Sequence, residues 1–411
     1  MILLTAEEMR MLDRVTIESG HATGALLMER AGAGIVEAME RRYGSTLGLR
    51  AVVLCGAGNN GGDGFVAARY LRDHGADVHV GVIGDVARIG PDANAHLQRL
   101  IAAGVRPVPI GSAPELEHLI ATHETWDLAL DAVLGTGARG EPQGLLAEAV
   151  QALRQLDEAG TRIVAADLPT GVGADTGEIA RRAVRADLTV AFGAPKRGHF
   201  LYPGRAFVGA LEVVDIGLAL HAVRLSAFPI ELATAPEMAE LLPTRHPRAH
   251  KNEVGRVLIA GGSAGLTGAV ALAALAALRS GAGYVQVAAP ASLQDILALK
   301  LTEAITLPMP ETPERSLSAL ALAPLRERLA DVDVVALGPG LSRHPESAEL
   351  ARRLVAAGDC PLVLDADGLD AFAGHADALM RGAPPLILTP HLGEMHRLTG
   401  IATSDLEARR I

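Results

Sequence analysis

The sequence predicts an α/β protein built from two consecutive parallel sheets with helices on both faces. Short apolar runs alternate with stretches of helical period, and several of these runs end in glycine-rich or polar loops. Strands that alternate with helices in this way form parallel sheets covered on both sides. A segment rich in proline and basic residues, at about 226–256, separates the two series. We therefore expect one domain over 1–225 and a second over 226–411.

The first series begins with two predicted helices. Thr5 and Glu8 have the spacing of a capping box, and a second helix is expected over 26–41. A strand at 52–55 then runs into a glycine-rich loop and a helix that begins near Phe65. Further strands are expected at 78–83, 128–133, 163–166, 188–192 and 208–214, and further helices at 93–103 and 145–156.

The second series repeats this alternation after a short helix predicted over 237–242. Each polar cluster follows a predicted strand, and this carboxyl edge is where open α/β sheets bind their ligands. The functional residues are therefore expected at that edge. The strands are expected at 257–260, 284–288, 332–337, 362–364 and 386–388, with a helix over 269–279.

The composition argues against several classes of protein. A net charge of −11 argues against nucleic acid as a partner, because binding phosphates requires a basic face. Cys55 and Cys360 are the only cysteines and lack metal-binding spacing, which suits a reducing compartment. The N-terminus has no signal-peptide pattern, and the most apolar run, 269–278, is too short to span a bilayer. We expect a cytoplasmic protein with neither a membrane nor a nucleic-acid partner.

Residues 51–64, AVVLCGAGNNGGDG, are the most informative stretch of the first series. A strand, a glycine turn and a helix place backbone N–H groups at a helix N-terminus, where the helix dipole favours a phosphate. The loop differs from the dinucleotide-binding fingerprint in its two asparagines and in Asp63, whose carboxylate would repel a phosphate. We interpret it as a loop that binds part of a nucleotide and also builds a polar or cation site. A glycine-rich turn without a ligand is the alternative.

Three polar residues in clusters at the C-terminal ends of predicted strands offer oxygen ligands. Asn60, Asp131 and Thr170 carry hard donors suited to Na⁺, K⁺ or Mg²⁺ and not to a metal that prefers thiolates. For Asp131, a solvated carboxylate at a strand end is an equally good interpretation.

Asp167 follows the apolar run 163–166, and partial burial there would suit its carboxyl group to acid–base chemistry. A purely structural role is the alternative for this residue. Lys196 and His199, in the stretch APKRGHF, are predicted to be solvated loop residues.

Ordered motifs carry a resemblance to known families. The motifs GAGNNGGDG, DAVLGTGARGE and DLPTGVGADTG resemble, in order and spacing, the YjeF N-terminal domain, the NAD(P)H-hydrate epimerase. The later motifs RAHKNEVGRVLIAGGSAGLTGA, GPGL, DADGLD and TPHLGE resemble the ADP/ATP-dependent NAD(P)H-hydrate dehydratases. The whole chain is similar to the bifunctional repair enzymes that join these two domains.

The resemblance implies a Rossmann-like three-layer first domain and a ribokinase-like second domain. Such enzymes repair hydrated NADH and NADPH, in which water has added to the nicotinamide 5,6 double bond. The first domain would interconvert the R and S hydrates at C6, and the second would remove water from the S form using ADP or ATP. K⁺ is an implied cofactor, and Mg²⁺ would suit the nucleotide. We also expect a homo-oligomer.

The resemblance also assigns individual residues. Asp167 would transfer the proton, and Asn60, Asp131 and Thr170 would bind K⁺. The hydrate-binding positions fall on Asn59, Asn60, Gly61, Gly62, Asp63, Gly135, Thr136, Gly137, Ala138, Arg139, Gly140, Glu141 and Asp167 in the first domain, and on Ala269, Gly340 and His391 in the second.

The chain departs from the family pattern in several places. Thr170 stands where serine is frequent, Asn252 where glycine is usual, and Asp370 where asparagine is usual. After TPHxGE, the family's dehydratase domain continues to a GTGD segment whose backbone forms an anion hole and whose aspartate is catalytic. No such segment precedes Ile411. Unless the sequence is a piece of a longer product, the resemblance therefore implies a ribokinase-like domain that lacks its C-terminal part, folds incompletely and does not dehydrate.

Three other functions are less consistent with these features. A vitamin or sugar kinase of the ribokinase superfamily would share GGS and GPG, but TPHLGE favours the dehydratase. A dimerisation or RNA-associated scaffold without catalysis would not need Asn60, Asp131 and Asp167, and the acidic charge also counts against it. An ordinary dehydrogenase is disfavoured because no acidic residue at a second strand end accompanies a plain GxGxxG.

Overall fold

The computed structural model describes residues 1–219, 230–380 and 384–408. The chain divides into two compact units, Met1–Leu241 and Leu242–Ile411. The predicted boundary between 225 and 226 lies outside the described residues. Each unit contains one parallel sheet.

Seven parallel strands form the sheet of the first unit, in the chain order β1 (Arg50–Gly56), β2 (Asp77–Ile83), β3 (Val108–Ile110), β4 (Leu128–Ala132), β5 (Arg162–Ala166), β6 (Leu188–Phe192) and β7 (Ala210–Val214). Their spatial order is β3-β2-β1-β4-β5-β6-β7. The chain builds outward from β1 to β3 and then places β4 on the other side of β1. The strand order therefore reverses between β1 and β4, where an open parallel sheet leaves a crevice for ligands.

Helices cover both faces of this sheet: α1 (Ala6–Glu18), α2 (Gly24–Tyr43), α3 (Asn59–Asp73), α4 (Pro91–Ala102), α5 (Ala113–Ile120) and α6 (Leu145–Glu158), followed in the chain by α7 (Ala235–Leu241). Val53 and Cys55 of β1 join a buried cluster with residues of α1 to α4. Val52 and Leu54 point the other way and join a cluster with residues of α5 and α6. This burial on both faces explains the continuous apolar run of β1. The predicted three-layer arrangement is confirmed.

Six parallel strands form the sheet of the second unit: β8 (Arg256–Ala260), β9 (Tyr284–Pro290), β10 (Ile305–Met309), β11 (Val334–Leu337), β12 (Leu362–Leu364) and β13 (Leu386–Leu388). Their spatial order is β10-β9-β8-β11-β12-β13, so the order reverses between β8 and β11. The helices are α8 (Thr267–Arg279), α9 (Gln294–Lys300), α10 (Leu322–Leu329), α11 (Pro345–Ala357), α12 (Asp367–Asp370), α13 (Leu392–Thr399) and α14 (Thr403–Ala408).

This second sheet is also covered on both faces. Leu258 and Ala260 of β8 join a cluster with residues of α10 and α11, whereas Ile259 joins one with residues of α8 and α9. The predicted α/β class is therefore confirmed for this unit as well. Among the residues that the structure describes, no helix has both the length and the apolar character required to cross a membrane.

Two strands that the sequence did not predict are edge strands that contain proline. β3 includes Pro109 and pairs only with β2, and β10 includes Pro308 and pairs only with β9. Proline is tolerated at a sheet edge because its missing N–H is not needed by a further neighbour. A short run interrupted by proline gives no alternating pattern, so these strands were missed.

Candidate active site

A cleft of about 780 Å³ opens at the carboxyl edge of the first sheet, beside the point where the strand order reverses. Its walls come from the loops after β1 and β4, the start of α3, and the helices α1 and α2. The volume lies within the range of roughly 300–1,000 Å³ typical of ligand sites. The predicted hydrate-binding residues that line it are Asn59, Asn60, Asp63, Gly135, Thr136, Gly137, Ala138 and Asp167.

The helix α3 begins at Asn59, earlier than the predicted start near Phe65, so two of the predicted loop glycines lie in its first turn and allow it to approach its neighbours closely. A Cβ on Gly61 would lie 1.8 Å from the carbonyl oxygen of Gly56, and one on Gly62 would lie 2.4 Å from Sδ of Met28. The residue before α3, Gly58, supplies no side-chain cap. The first N–H groups of α3 are therefore free to bind an anion at the cleft.

The end of the loop after β4 has a different environment. Arg139, Gly140 and Glu141 lie outside the lining of the cleft. Both carboxylate oxygens of Glu141 accept the backbone N–H of Arg181, at 2.8 and 3.1 Å. The structure thus gives Glu141 a role in holding this loop against the segment that follows Thr170.

Asp131 and Thr170 form a buried hydrogen-bonded pair at the ends of β4 and β5. Thr170 donates twice to Asp131, from Oγ1 to Oδ1 and from its backbone N–H to Oδ2, both at 2.7 Å. Burial raises the pKa of Asp131 to about 6, although hydrogen bonds from Thr170 and Val133 act to lower it. Asp131 has no solvent exposure, so the interpretation as a solvated strand-end carboxylate is wrong.

Asn60 reaches this pair through the loop after β4. The backbone N–H of Leu134 donates to Oγ1 of Thr170 at 3.0 Å. The next residue, Gly135, lies against the Asn60 amide, and a Cβ there would be 3.2 Å from its Oδ1. Within the described part of the chain, Nδ2 of Asn60 is buried without a hydrogen-bond partner. Leu134 and Gly135 therefore link the three residues predicted to bind a cation.

Asp167 occupies a turn with unusual backbone geometry after β5. Its φ is 63°, a left-handed value that is uncommon for residues other than glycine and often marks functional sites. Its N–H donates to the carbonyl of Val190 at 2.8 Å, which fixes the turn against β6. Its Oδ1 accepts the N–H of Phe192 at 3.1 Å and forms an ion pair with Nζ of Lys196.

The prediction that Lys196 and His199 are solvated is wrong, because both side chains are fully buried beside Asp167. Nζ of Lys196 also donates to the carbonyl of Phe192 at 3.3 Å. Nδ1 of His199 accepts the N–H of Lys196 at 3.0 Å, so the ring proton lies on Nε2. Nε2 then donates to the carbonyl of Asp167 at 2.7 Å. Burial and the charge of Lys196 lower the pKa of His199 to about 4, and the ring is neutral at pH 7.

Two further carboxyl groups, those of Asp13 and Asp63, line the same cleft. Burial raises the pKa of Asp13 to about 6, while Lys196 lowers it and Asp167 raises it. Burial also raises the pKa of Asp63 well above its ordinary value, and the charges of Asp167 and Asp13 add to that effect. Asp63 therefore keeps its proton to higher pH and repels a phosphate less than its sequence position suggested. Sequence reasoning did not single out Asp13, which belongs to no motif.

In the second unit, Ala269 and Gly340 meet at the carboxyl edge of the sheet. Gly340 has a φ of 64°, and a Cβ there would lie 2.7 Å from the carbonyl oxygen of Leu266 and 3.4 Å from Cβ of Ala269. His391 follows β13, two strands farther along the sheet, and caps α13. Its Nδ1 accepts two backbone N–H groups at 3.0 and 3.2 Å, and its side chain is 67% exposed.

Asp370, which departs from the family's asparagine, holds two arginines in place. Its Oδ1 lies 2.5 Å from Nε of Arg397, and its Oδ2 lies 2.7 Å from a terminal nitrogen of Arg343. A carboxylate makes charge-assisted hydrogen bonds to both guanidinium groups, which an amide would not.

Comparison with known proteins agrees with this architecture. A family model described as the YjeF-related protein N-terminus matches residues 24–198, and one described as NAD(P)H-hydrate dehydratase matches residues 257–410. A relative from Moorella thermoacetica is 42% identical over 100% of this chain and 77% of its own length. One from Salinibacter ruber is 40% identical over 97% of this chain and 75% of its own length. Both relatives are named bifunctional NAD(P)H-hydrate repair enzymes.

A solved structure gives a further, partial likeness. The ADP/ATP-dependent NAD(P)H-hydrate dehydratase from Bacillus subtilis, crystallised with ATP and Mg²⁺, is 30% identical to the chain with a TM-score of 0.33. The match covers 43% of this chain and 58% of the other. The second family match favours a hydrate dehydratase over a vitamin or sugar kinase. Both family models agree with relatives that match along the whole of this chain, so the chain belongs to the family of bifunctional NAD(P)H-hydrate repair enzymes.

Proposed function

We propose that this protein repairs hydrated NADH and NADPH. The first unit interconverts the R and S hydrates at C6, and the second removes water from the S form at the expense of ADP or ATP. The observation that carries the first assignment is the buried ion pair of Asp167 and Lys196 beside a cleft bounded by the N-terminus of α3. A helix N-terminus suits the pyrophosphate, and a shielded carboxyl group suits the reacting ring.

The chemistry at C6 explains why a carboxyl group is needed. C6 of the hydrate is bonded to both the ring nitrogen and the added hydroxyl group. When the C6–O bond breaks, its electron pair goes to oxygen, which takes a proton and leaves as water, while the nitrogen lone pair stabilises planar C6. Water then adds to the opposite face and gives up a proton. Asp167 exchanges this proton with the oxygen on C6.

Inversion at C6 requires proton exchange on both faces of the ring. One carboxyl group, fixed on one side of the ring, does not readily reach both faces. Asp13 lines the same cleft, and its pKa of about 6 is close to the working pH of a general acid or base. We therefore assign Asp13 to the second face. Lys196 acts as a positioning residue, because its fully buried ammonium group holds the carboxylate of Asp167 at the wall of the cleft.

K⁺ fits the group formed by Asn60, Asp131 and Thr170. The carboxylate and hydroxyl donors are oxygens, which hard cations prefer. The buried Nδ2 of Asn60 lacks a hydrogen bond, and rotating the amide by half a turn would place an oxygen in that position. A bound K⁺ would supply positive charge near the hydrate. Thr170→Val should abolish activation by K⁺, whereas Thr170→Ser, which keeps the hydroxyl group, should retain it.

For the second unit, the proposed hydrate-binding residues are Ala269, Gly340 and His391. Close packing of Gly340 against Leu266 and Ala269 keeps the turn after β11 near the start of α8. Mg²⁺ would accompany the phosphates of ADP or ATP, which are its usual ligands.

We also propose a homo-oligomer in the cytoplasm. Size-exclusion chromatography with light scattering tests the first statement, and cell fractionation tests the second.

The decisive experiment follows the two hydrates by chromatography after mixing the pure R form with enzyme. Asp167→Asn should slow the appearance of the S form by about 10²-fold or more, because the amide cannot exchange the proton. Asp73→Asn, at the exposed C-terminal end of α3, is the matched control and should epimerise at the parent rate. If Asp167→Asn epimerised as fast as the parent, its assignment as the proton-transfer group would be wrong.

A further inference from the structure

A second cluster of polar side chains lies at the opposite end of the first sheet from the cleft. Asp77 is the first residue of β2, and His79 lies two residues later, on the same face of the strand. His123 lies in the segment that joins α5 to β4. The cleft residues follow the carboxyl ends of the strands, so this cluster sits at the amino end and has no part in the proposed epimerase chemistry.

The ligand atoms of these three residues converge on one point. The two Nε2 atoms of His79 and His123 are 3.2 Å apart. Nε2 of His79 is 3.4 Å from Oδ1 of Asp77, and Nε2 of His123 is 3.2 Å from Oδ2. In a tetrahedral zinc site with bonds of about 2.0–2.1 Å, neighbouring ligand atoms are separated by about 3.3 Å. The separation of the two imidazole nitrogens agrees with this value, and each nitrogen lies close to one of the two oxygens of Asp77. With one ligand atom taken from each residue, the three atoms lie within 4.8 Å of one another.

The single tryptophan of the chain holds both imidazole rings in place. Trp126 is 5% exposed, and its Nε1 donates to the carbonyl of Ile120 at 2.9 Å. Its ring meets those of His79 and His123 edge to face, at centroid distances of 5.3 and 4.7 Å. Ring packing explains where the imidazoles lie, but it does not explain why both turn their Nε2 atoms toward one carboxylate. Imidazoles fixed in this way lose little freedom when they bind an ion.

Exposure of the cluster leaves a route for an ion and for a fourth ligand. The side chains of His79 and His123 are 28% and 23% exposed, whereas that of Asp77 is 56% exposed. Two imidazoles with one carboxylate suit zinc and neighbouring divalent transition metals, whereas K⁺ and Mg²⁺ prefer all-oxygen sites. Three protein ligands with one open position is a known arrangement for Zn²⁺.

We propose that Asp77, His79 and His123 bind a divalent transition-metal ion of the zinc class. The ion fastens the segment before β4 to the start of β2. Because binding is confined to the folded state, Zn²⁺ should stabilise the first unit without changing the rate of epimerisation.

The test uses the untagged, EDTA-treated full chain and Zn²⁺ as the probe. Isothermal titration should show one tight Zn²⁺ site per chain, and the fluorescence of Trp126 should change with the same saturation curve. Substituting Co²⁺ should give the visible absorption typical of four-coordinate cobalt. His79→Gln and His123→Gln should each weaken Zn²⁺ binding at least as much as the roughly 10- to 100-fold loss seen when groups that support a metal ligand are removed.

Matched variants separate this site from incidental surface binding. His118→Gln, on the exposed face of α5, should leave affinity and fluorescence unchanged. Asp77→Asn alters an exposed side chain, so it should fold normally and still weaken binding. The proposal is overturned if the parent binds no Zn²⁺, or if Asp77→Asn and the histidine variants bind it as tightly as the parent. It is also overturned if Zn²⁺ leaves the melting temperature of the parent unchanged.

Discussion

At the scale of single residues, Lys196 and Asp167 form an ion pair in which the lysine has no solvent exposure. Breaking a buried pair by removing one partner typically costs about 3–5 kcal/mol, because the remaining charge is left unpaired. Lys196→Met keeps most of the length of the side chain but removes its charge. We expect the free energy of unfolding, measured with urea, to fall by about that amount.

A double variant provides the control for this prediction. Lys196→Met combined with Asp167→Asn leaves no unpaired charge, so it should regain most of the stability lost in the single variant. Neither variant should epimerise well. Equal stability of the parent and Lys196→Met would show that the pair contributes little to the fold.

The raised pKa of Asp13 makes stability depend on pH. With a pKa of about 6 in the folded state against 3.8 unfolded, native Asp13 binds more protons between these values. The stability that protonated Asp13 contributes is therefore fully present below pH 4 and is lost as the pH rises through about 6. Asp13→Asn removes this loss and should be about 1–3 kcal/mol more stable than the parent at pH 7.

Urea unfolding of the parent and of Asp13→Asn at pH 4, 5, 6 and 7 measures this difference. His199 acts in the opposite direction, because its lowered pKa of about 4 removes stability as the pH falls from 6.5. The two effects offset each other in the parent, so the difference between variant and parent is the informative quantity. A difference that does not grow between pH 4 and 7 would contradict the assignment to Asp13.

The sequence was informative about residues that belong to motifs and uninformative about residues buried by tertiary structure alone. Asp131 lies near the end of one predicted strand and Thr170 follows another, and parallel strands bring such positions together at one edge. Lys196 and His199 lie in a polar, loop-like stretch, and their burial depends on a turn of the chain beneath Asp167 that leaves no periodic signal. Asp13 lies in an ordinary amphipathic pattern, and only packing places it at the cleft.

At the scale of elements, the contact between α3 and β1 depends on Gly61. A Cβ there would lie 1.8 Å from the carbonyl oxygen of Gly56, so Gly61→Ala must push α3 away from the sheet. This displacement should lower stability by roughly 1–3 kcal/mol, as overpacking commonly does, and should raise KM for the hydrate by moving the phosphate-binding N–H groups. Thermal unfolding and epimerase kinetics measure the two effects.

Gly58→Ala is the matched control for this substitution. It lies three residues earlier, directly before α3, where a Cβ would meet no atom within 4 Å and φ is −92°. It should leave the stability close to the parent value; because Gly58 lines the cleft, it is a control for stability and not for KM. Parent-like behaviour of Gly61→Ala would mean that the close approach of α3 is not required.

Element prediction succeeded where burial imposes a pattern. β1 and α3 were predicted because a strand buried on both faces and a glycine-rich turn have characteristic sequences. The start of α3 was placed near Phe65 instead of Asn59, because the glycines of its first turn resemble a loop. β3 and β10 were not predicted, because each is an edge strand containing proline whose pairing depends on one neighbour. The length of a strand and its place in the sheet therefore decide whether local sequence reveals it.

At the scale of the whole molecule, the same arrangement occurs twice. In each unit the strand order reverses beside the first strand, and glycine-bearing loops follow the strands on either side of that point. The two reversals, between β1 and β4 and between β8 and β11, lie at the proposed hydrate-binding residues. A family that joins two reactions on related hydrates thus uses the same edge of two different parallel sheets.

The buried clusters of the two units share no residue, so a local defect should affect the unfolding of only one unit. Gly340→Ala forces a left-handed residue with a φ of 64° to carry a Cβ only 2.7 Å from the carbonyl oxygen of Leu266. For units of this size, each kcal/mol lost from the free energy of unfolding lowers the melting temperature by roughly 2–4 °C. We therefore expect the melting temperature of the second unit to fall by several degrees. Gly61→Ala should lower only the melting temperature of the first unit.

Scanning calorimetry of the parent and the two glycine variants tests this independence. Zn²⁺ identifies the transition of the first unit, because the proposed ion site lies within it. The rate of epimerisation should stay at the parent value in Gly340→Ala, since the residues that line the cleft all belong to the first unit. If Gly340→Ala lowered both transitions equally and also slowed epimerisation, the two units would have to unfold and act as one cooperative body.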